Sequence, residues 1–426
     1  MPENTPQKHP IILIVVMNIT LVCLIIGIIG GYYILKQRDV EKAAAVPEKE
    51  RSERQVPPRV EKTESPATVG GASFDYPKED LVYSGSAPVY VTIYSHNEDS
   101  WLSVVGSKIK YASYREGLLD RANLLSDYNI EWNWQTDQPV VEAMIEYEND
   151  EKFLSETGGK NILLYMSERG ASLDPHAHKN NYADIAYLIN QLGATASSVI
   201  GGTRMEDCGD ELLGFLDFIS WHDEIDLSPD GYVYGEDFPE AKWKPEILSD
   251  PGMGRHFFDE WSSGVWRPGD EDDFYSDFPE SDIVYVGEGY PHNVVLIGET
   301  HAGGSKISSE NGDYIKELVK KIADKELPTG TKDGEKFIYT ASVHVRDTSV
   351  VSESTSGEDT ITLDGLKAFL EEMEPYRERG DIVYADFETV AEIWKTEYDS
   401  VPYRVDLSSF SFYDEVKTQA EEYCQK

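Results

Sequence analysis

Leu173-Asp174-Pro175-His176-Ala177-His178 is the segment whose residue types most clearly allow chemistry. Histidines at i and i+2 leave the same side of an extended chain, so at a strand end both imidazoles can face one metal ion. Only nine histidines occur in 426 residues, which makes so close a pair an enrichment. Imidazole nitrogen is a common ligand for zinc-like ions, and Asp174 adds a carboxylate beside the pair. A second cluster, Ser95-His96-Asn97-Glu98-Asp99, follows the apolar run Pro88–Tyr94. The two clusters read as two edges of one site, with His96, Glu98, His176 and His178 as metal ligands and zinc as the expected ion. Asp99 is the expected base, although Glu98 and Asp99 are interchangeable by type: one would bind the ion and the other accept a proton from water. A bound metal lowers the pKa of water towards ~7, which brings that proton within reach of a carboxylate. The plainer alternative for residues 95–99 is a polar turn capping the next segment.

Two further places could serve the same site. Gly264-Val265-Trp266-Arg267-Pro268-Gly269 sets Arg267 on a constrained turn, where it could orient a carboxylate or meet developing charge. Ser342-Val343-His344-Val345-Arg346-Asp347 ends an apolar strand with His344, which could protonate a leaving group and be oriented by Asp347. His222, His256, His292 and His301 lack ligand-like spacing. Trp132, Trp134, Trp221, Trp243, Trp261 and Trp266 fall in the same parts of the chain, and tryptophan rings either stack on sugar faces or pack a core.

These residues need strands to hold them, and the chain supplies candidates in alternation with helices. The pattern predicts strands at Val89–Tyr94, Asn129–Asn133, Ala171–Leu173, Ser197–Ile200, Ile283–Val286, Val294–Ile297, Lys336–Val345 and Ile382–Ala385. Helical periods fall at Tyr114–Leu125, Pro139–Tyr147, Asn161–Arg169, Tyr182–Leu192, Tyr314–Ala323, Leu363–Met373 and Val390–Tyr398. Residues 203–280 read as loop. Such alternation predicts an α/β fold with parallel strands and crossover helices, either an irregular barrel or an open sheet.

Outside that region the chain changes character. Ile11–Leu35 is an apolar run of 25 residues, and about 20 suffice to cross a bilayer as a helix. It is longer than the apolar core of a cleaved signal, so a single uncleaved transmembrane anchor is expected after a short tail at 1–10. Positive charge on Lys36, Arg38 and Lys42 leans towards a cytoplasmic C-terminal side; the tether and the glycan-type site favour an extracytoplasmic one, and that is the expectation adopted. Residues 36–84 are polar and rich in Pro, Glu, Lys and Arg, as in a disordered linker. The globular domain is placed at 85–405, with a C-terminal tail at 406–426. With 79 Asp+Glu against 38 Lys+Arg the net charge is −41, a field that repels phosphate backbones and excludes nucleic acid as an expected partner. Cys23, Cys208 and Cys424 imply no disulfide framework.

Taken in order, these pieces resemble the polysaccharide deacetylase family and its relatives with a glycoside hydrolase/deacetylase β/α-barrel. The counterparts are His96-Asn97-Glu98-Asp99, His176-Ala177-His178, Arg267-Pro268, His344 and the closing Ile382–Tyr398 unit, spanning residues ~87–400 on a barrel-sized domain. The resemblance implies a divalent metal that polarises an acetamide carbonyl, a first-motif carboxylate as base and the late histidine as acid, acting on a glycan of the cell envelope. Two departures stand out: Tyr94-Ser95-His96-Asn97-Glu98-Asp99 replaces the usual Thr-Phe-Asp-Asp type, and the histidines are spaced i, i+2 rather than i, i+4. Hydrolysis of another bond, glycosidic or amide, or a non-catalytic glycan-binding surface protein are the alternatives. A glycosidase would need paired acids across the bond.

Overall fold

The computed structural model describes residues 87–177, 181–201, 231–249, 261–268, 277–279, 281–289, 304–328, 331–332, 335–345, 363–406 and 410. The apolar run 11–35, the linker 36–84, the expected strand Val294–Ile297 and most of the C-terminal tail lie outside these residues. Among the described residues no helix is long and apolar enough to cross a membrane.

In chain order the strands are β1 (Val89–Asn97), β2 (Trp132–Thr136), β3 (Ala171–Pro175), β4 (Val199–Gly201), β5 (Val233–Tyr234), β6 (Lys242–Trp243), β7 (Ile247–Ser249), β8 (Trp261–Trp266) and β9 (Val284–Glu288). They continue with β10 (Thr331–Lys332), β11 (Glu335–Lys336), β12 (Tyr339–His344), β13 (Ile382–Tyr384) and β14 (Val405–Asp406). The helices are α1 (Asp99–Leu102), α2 (Lys108–Asp127), α3 (Gln138–Tyr147), α4 (Glu151–Glu156), α5 (Ile162–Ser167), α6 (Tyr182–Gln191), α7 (Gly304–Ala323), α8 (Leu363–Glu378) and α9 (Phe387–Glu397).

The expected α/β alternation is present as a mixed fold with parallel sheets. One sheet runs β12-β1-β2-β3, all parallel, with β13 also on β1; the other runs β14-β8-β9-β7-β4. Strands β4, β7 and β9 are parallel to one another, and β8 returns antiparallel on β9. The sheets approach along two edges. Ser197 N–H donates to Leu173 O (2.9 Å) on the β3–β4 side, and Gly264 N–H donates to Thr340 Oγ1 (2.7 Å) between β8 and β12.

Strand β1 is buried on both faces, which is why it reads as a near-continuous apolar run rather than an alternating one. Val89, Val91 and Ile93 pack outward in a cluster with Tyr111, Tyr114 and Leu118 of α2. Tyr90 and Tyr94 face inward with Val199, Ile247, Val284 and Val286. That inner cluster closes around Phe387, Val390, Ala391 and Trp394 of α9. Helix α9 therefore fills the space bracketed by the sheets instead of covering an outer face. Its entry is set where β1 exchanges neighbours: Val89–Val91 pair with β13, whereas Tyr94–Asn97 pair with β2. Phe387 N–H donates to Asn133 Oδ1 (3.2 Å) there, and Asp386 caps the helix by accepting from Thr389 N–H (2.7 Å).

Three expectations are corrected. Strand β1 continues past Tyr94 to Asn97, because Tyr94–Asn97 find β2 as a partner. Strand β2 lies later than expected, at Trp132–Thr136. Residues 203–280 are not all loop, since β5, β6, β7 and β8 fall within them, the first three only two or three residues long. Strands that short carry no readable period, and their polar setting hid them. Phe410 is buried with its ring 5.2 Å from that of Tyr314, so packing continues past residue 405.

Candidate metal centre

The inner face of β1 ends in His96 and, one residue past the strand, Glu98. Their i, i+2 spacing turns both inward, and the intervening Asn97 holds that register from the other face. Asn97 Oδ1 accepts from Tyr114 Oη–H (2.8 Å), and its Nδ2 donates to Gln135 O (3.0 Å). Trp134 Nε1–H in turn donates to Tyr114 Oη (3.1 Å). His176 arrives from the end of β3, two strands away, where its N–H donates to Thr136 O (2.8 Å).

These three side chains converge. One ligand atom from each of His96, Glu98 and His176 lies within 4.8 Å of the others. The two imidazoles stack with centroids 4.4 Å apart. His176 is 2 % exposed; its Nε2 lies 3.3 Å from Glu98 Oε1, and its Nδ1 is taken by the Gly201 carbonyl at the end of β4. With Nδ1–H donated to that carbonyl, Nε2 is the nitrogen left to face Glu98 and a cation. Burial alone would depress the His176 pKa, but the hydrogen bond and charge of Glu98, with the Gly201 carbonyl, outweigh it and raise it above the ordinary value.

Two imidazoles and a carboxylate at the carboxyl ends of parallel strands fit a divalent ion of the zinc type with coordination positions left over. The group could bind a metal. Nothing in the donor set selects zinc over its neighbours.

Asp99 begins α1 beside this group. Its Oδ1 accepts from Val105 N–H (2.9 Å), and its own N–H donates to Asp137 Oδ2 (3.0 Å). Asp137 is a residue that the sequence reading missed. It caps α3 by accepting from Val140 N–H (3.1 Å). Burial raises its carboxyl to about 6, against the pull of the Val140 and Asp99 N–H groups, and the negative charge of Glu98 adds to the rise. The signal was present as Asp137-Gln138-Pro139, an N-cap followed by proline in the first turn, but a cap alone does not announce a site.

The remaining candidates are placed differently. His344 ends β12 directly beside Tyr94 on β1, two residues before His96, so its backbone is at the same end of the sheet. Arg267 is not brought to the group. Strand β8 runs against β9, which leaves Arg267 beyond Trp266, opposite Tyr285 near the start of β9. Its guanidinium lies 4.8 Å from the Trp394 ring. His178 lies outside the described residues, as do His222, His256, His292 and His301 and Trp221. Trp132, Trp134 and Trp266 are fully buried core residues, and Trp243 is nearly so, its Nε1–H donating to Ser197 O (2.7 Å). Their clustering in the sequence reflects packing, not a sugar platform.

No protein-family model matches the chain, and no curated protein does. Among solved structures, the fold is similar to that of a protein from Parabacteroides distasonis described as a glycoside hydrolase/deacetylase. Identity is 12 % over 74 % of this chain and 72 % of that one, with a TM-score of 0.43. A GH57-type branching enzyme from the archaeon Pyrococcus horikoshii gives 12 % identity over 71 % of this chain and 70 % of that one, with a TM-score of 0.39. A protein from Mycobacterium smegmatis described as a polysaccharide deacetylase gives 9 % identity over 73 % of this chain and 94 % of that one, with a TM-score of 0.33. Similarity at this level does not bear on chemistry, for which the geometry above is the basis.

Proposed function

We propose that this chain is a metal-dependent hydrolase on an irregular β/α barrel of the polysaccharide deacetylase type, removing acyl groups, most simply acetyl, from a cell-envelope glycan. The observation that carries the reading is the convergence of half-buried His96 with buried Glu98 and His176 at the carboxyl ends of parallel strands. Burying an imidazole against a carboxylate is costly without a hydrogen-bond or cation partner, and functional sites are where such groups cluster.

His96, Glu98 and His176 would hold the ion, with His178 as a further ligand. A divalent ion bound there supplies Lewis acidity towards an acyl carbonyl and lowers the pKa of water. Asp99 is assigned as the base, held in place through its N–H on Asp137, and His344 as the acid that protonates the departing group. Arg267 has no part in this assignment, given its place beside Trp394. The apolar run 11–35 would anchor the chain in a membrane, with the globular domain outside the cytoplasm.

The test measures zinc in the purified chain by elemental analysis, for the wild type and for the His96→Ala/His176→Ala double variant, and acetate released from acetylated amino-sugar oligomers. Near-stoichiometric metal and acetate release in the wild type, both absent in the variant, would support the reading. A wild type that takes up no divalent metal after reconstitution would sink it.

A further inference from the structure

Beside His96 and beneath His176 lie polar residues that the proposed reaction does not use. His96, Gln135 and Asp174 are register neighbours across β1, β2 and β3, so their side chains stand in one row on the inner face. Neighbouring strands lie about 4.8 Å apart, which puts the Gln135 side chain next to that of His96. It is also close to the other histidine's anchor. A Cβ on Gly201, whose carbonyl holds His176, would stand 2.9 Å from Gln135 Cβ.

Asp174 fixes which way the Gln135 amide faces. This fully buried carboxylate accepts from Asn133 Nδ2 (2.8 Å), Ser197 Oγ (2.6 Å), Ser172 Oγ (2.8 Å) and Gln135 Nε2 (3.3 Å). Gln135 Nε2 also donates to Ser249 Oγ (2.7 Å). Rotating the amide by half a turn would set oxygen against the Asp174 carboxylate and lose both donations. The planar group therefore presents Oε1 on the side away from Asp174. There Oε1 is buried with no hydrogen-bond partner among the described residues. A buried acceptor left unmet costs about 1–3 kcal/mol, and native interiors rarely keep one without a ligand or water to meet it.

We infer that Gln135 Oε1 is a further protein donor to the cation held by His96, Glu98 and His176. Amide oxygen is a neutral, hard donor, so it joins the coordination without adding charge to a set that already holds one carboxylate. The inference rests on the proposed metal centre and extends its ligand set to a residue on the strand between the two histidines.

The test uses metal binding, not turnover. Zinc affinity by isothermal titration calorimetry and the visible spectrum of the cobalt(II) form are compared in three full-length proteins. They are the wild type, Gln135→Met, and the charge-conserving exchange of Gln135→Glu with Asp174→Asn. Methionine keeps the volume and removes the oxygen, whereas the exchange keeps an oxygen at the same place and a polar partner below it. Gln135→Met should bind zinc at least about tenfold more weakly, with a changed cobalt band, and the exchange variant should bind as tightly as the wild type or more so. Equal affinity and an identical cobalt spectrum in Gln135→Met would overturn the inference while leaving the metal centre standing. Equal loss in Gln135→Met and the exchange variant would also overturn it, since packing and not the oxygen would then be what matters. If the wild type binds no metal, the proposed hydrolase and this inference fall together.

Discussion

His176 shows Glu98 its Nε2, at 3.3 Å, because the carbonyl of Gly201 has already claimed its Nδ1. The consequence is a pH-dependent metal centre. Histidine must be neutral to bind a cation, and the folded protein raises the His176 pKa above the ordinary value. Protons therefore compete from a higher pH than they would at a free imidazole, and zinc affinity should fall as pH drops from 8 to 6. Glu98→Gln removes both a ligand and the charge that raises the histidine. It should weaken zinc binding on the order of 100-fold at pH 8 and shift the onset of proton competition to lower pH. Titration calorimetry at several pH values checks both; a Glu98→Gln protein with wild-type affinity would remove Glu98 from the ligand set.

Gly201 is the less obvious half of the same device. An alanine there would put Cβ 2.9 Å from Gln135 Cβ and 3.1 Å from its Cδ, contacts that only a backbone shift can relieve. The shift would carry away the carbonyl that orients His176. Gly201→Ala should destabilise the fold by about 1–3 kcal/mol. It should also release the ring, so that nitrogen-15 spectra of His176 show a mixture of tautomers where the wild type shows one. A single unchanged tautomer in a folded Gly201→Ala protein would mean that the carbonyl does not set the ring.

The sequence was readable where its patterns are local. Strand β1 stood out because both of its faces are buried, and His96 and Glu98 stood out as ligand types at its end. Bringing His176 to them needed only that β3 lie two strands away with the same direction. What could not be read depends on pairing between distant segments. Gln135 and Asp137 are ordinary strand and cap residues until β2 is known to lie between β1 and β3. Arg267 looked like a site residue because Arg-Pro marks a turn, yet which end of the fold that turn occupies is decided by β8 running against β9. Helix α9 has the apolar period of a crossover helix, and no local signal separates an outer position from an interior one. The tryptophans stayed ambiguous for a related reason, since a ring that stacks on sugar and a ring that fills a core have the same composition.

Asp184 ties a distant segment to α6 with a single carboxylate. It has no exposed surface and accepts from the N–H groups of Glu236 (2.8 Å), Asp237 (3.2 Å) and Phe238 (3.0 Å). A Cβ on Gly235 would fall 2.1 Å from Asp184 Oδ1, so the backbone can approach only because glycine is there. Asp184→Ala would leave three backbone donors in need of water and should cost about 2–4 kcal/mol. Limited proteolysis should then cut between residues 235 and 241 under conditions where the wild type resists, and thermal melting gives the energy. Unaltered resistance and melting would show that β5 and β6 hold this turn without the carboxylate.

Glu131, just before β2, gives a pH test that stands apart from the metal centre. Burial raises its carboxyl to about 7, the nearby Asp386 charge adds to the rise, and the hydroxyl of Thr389 offsets part of it. A carboxyl whose folded pKa exceeds its unfolded value binds more protons in the folded state. Its contribution to stability is then greatest below the unfolded value of 4.5 and is lost as pH rises towards 7. At pH 8 the wild type therefore holds an unfavourable charge that Glu131→Gln removes. The variant should be more stable there by on the order of 1 kcal/mol, after allowing for solvent screening of a partly exposed group. At pH 4 both forms are neutral, so the advantage should vanish. Denaturant unfolding of metal-free protein at the two pH values measures the difference directly. A constant offset across that range would mean that the substitution acts through packing or the Thr389 hydrogen bond, and that Glu131 does not titrate in this window.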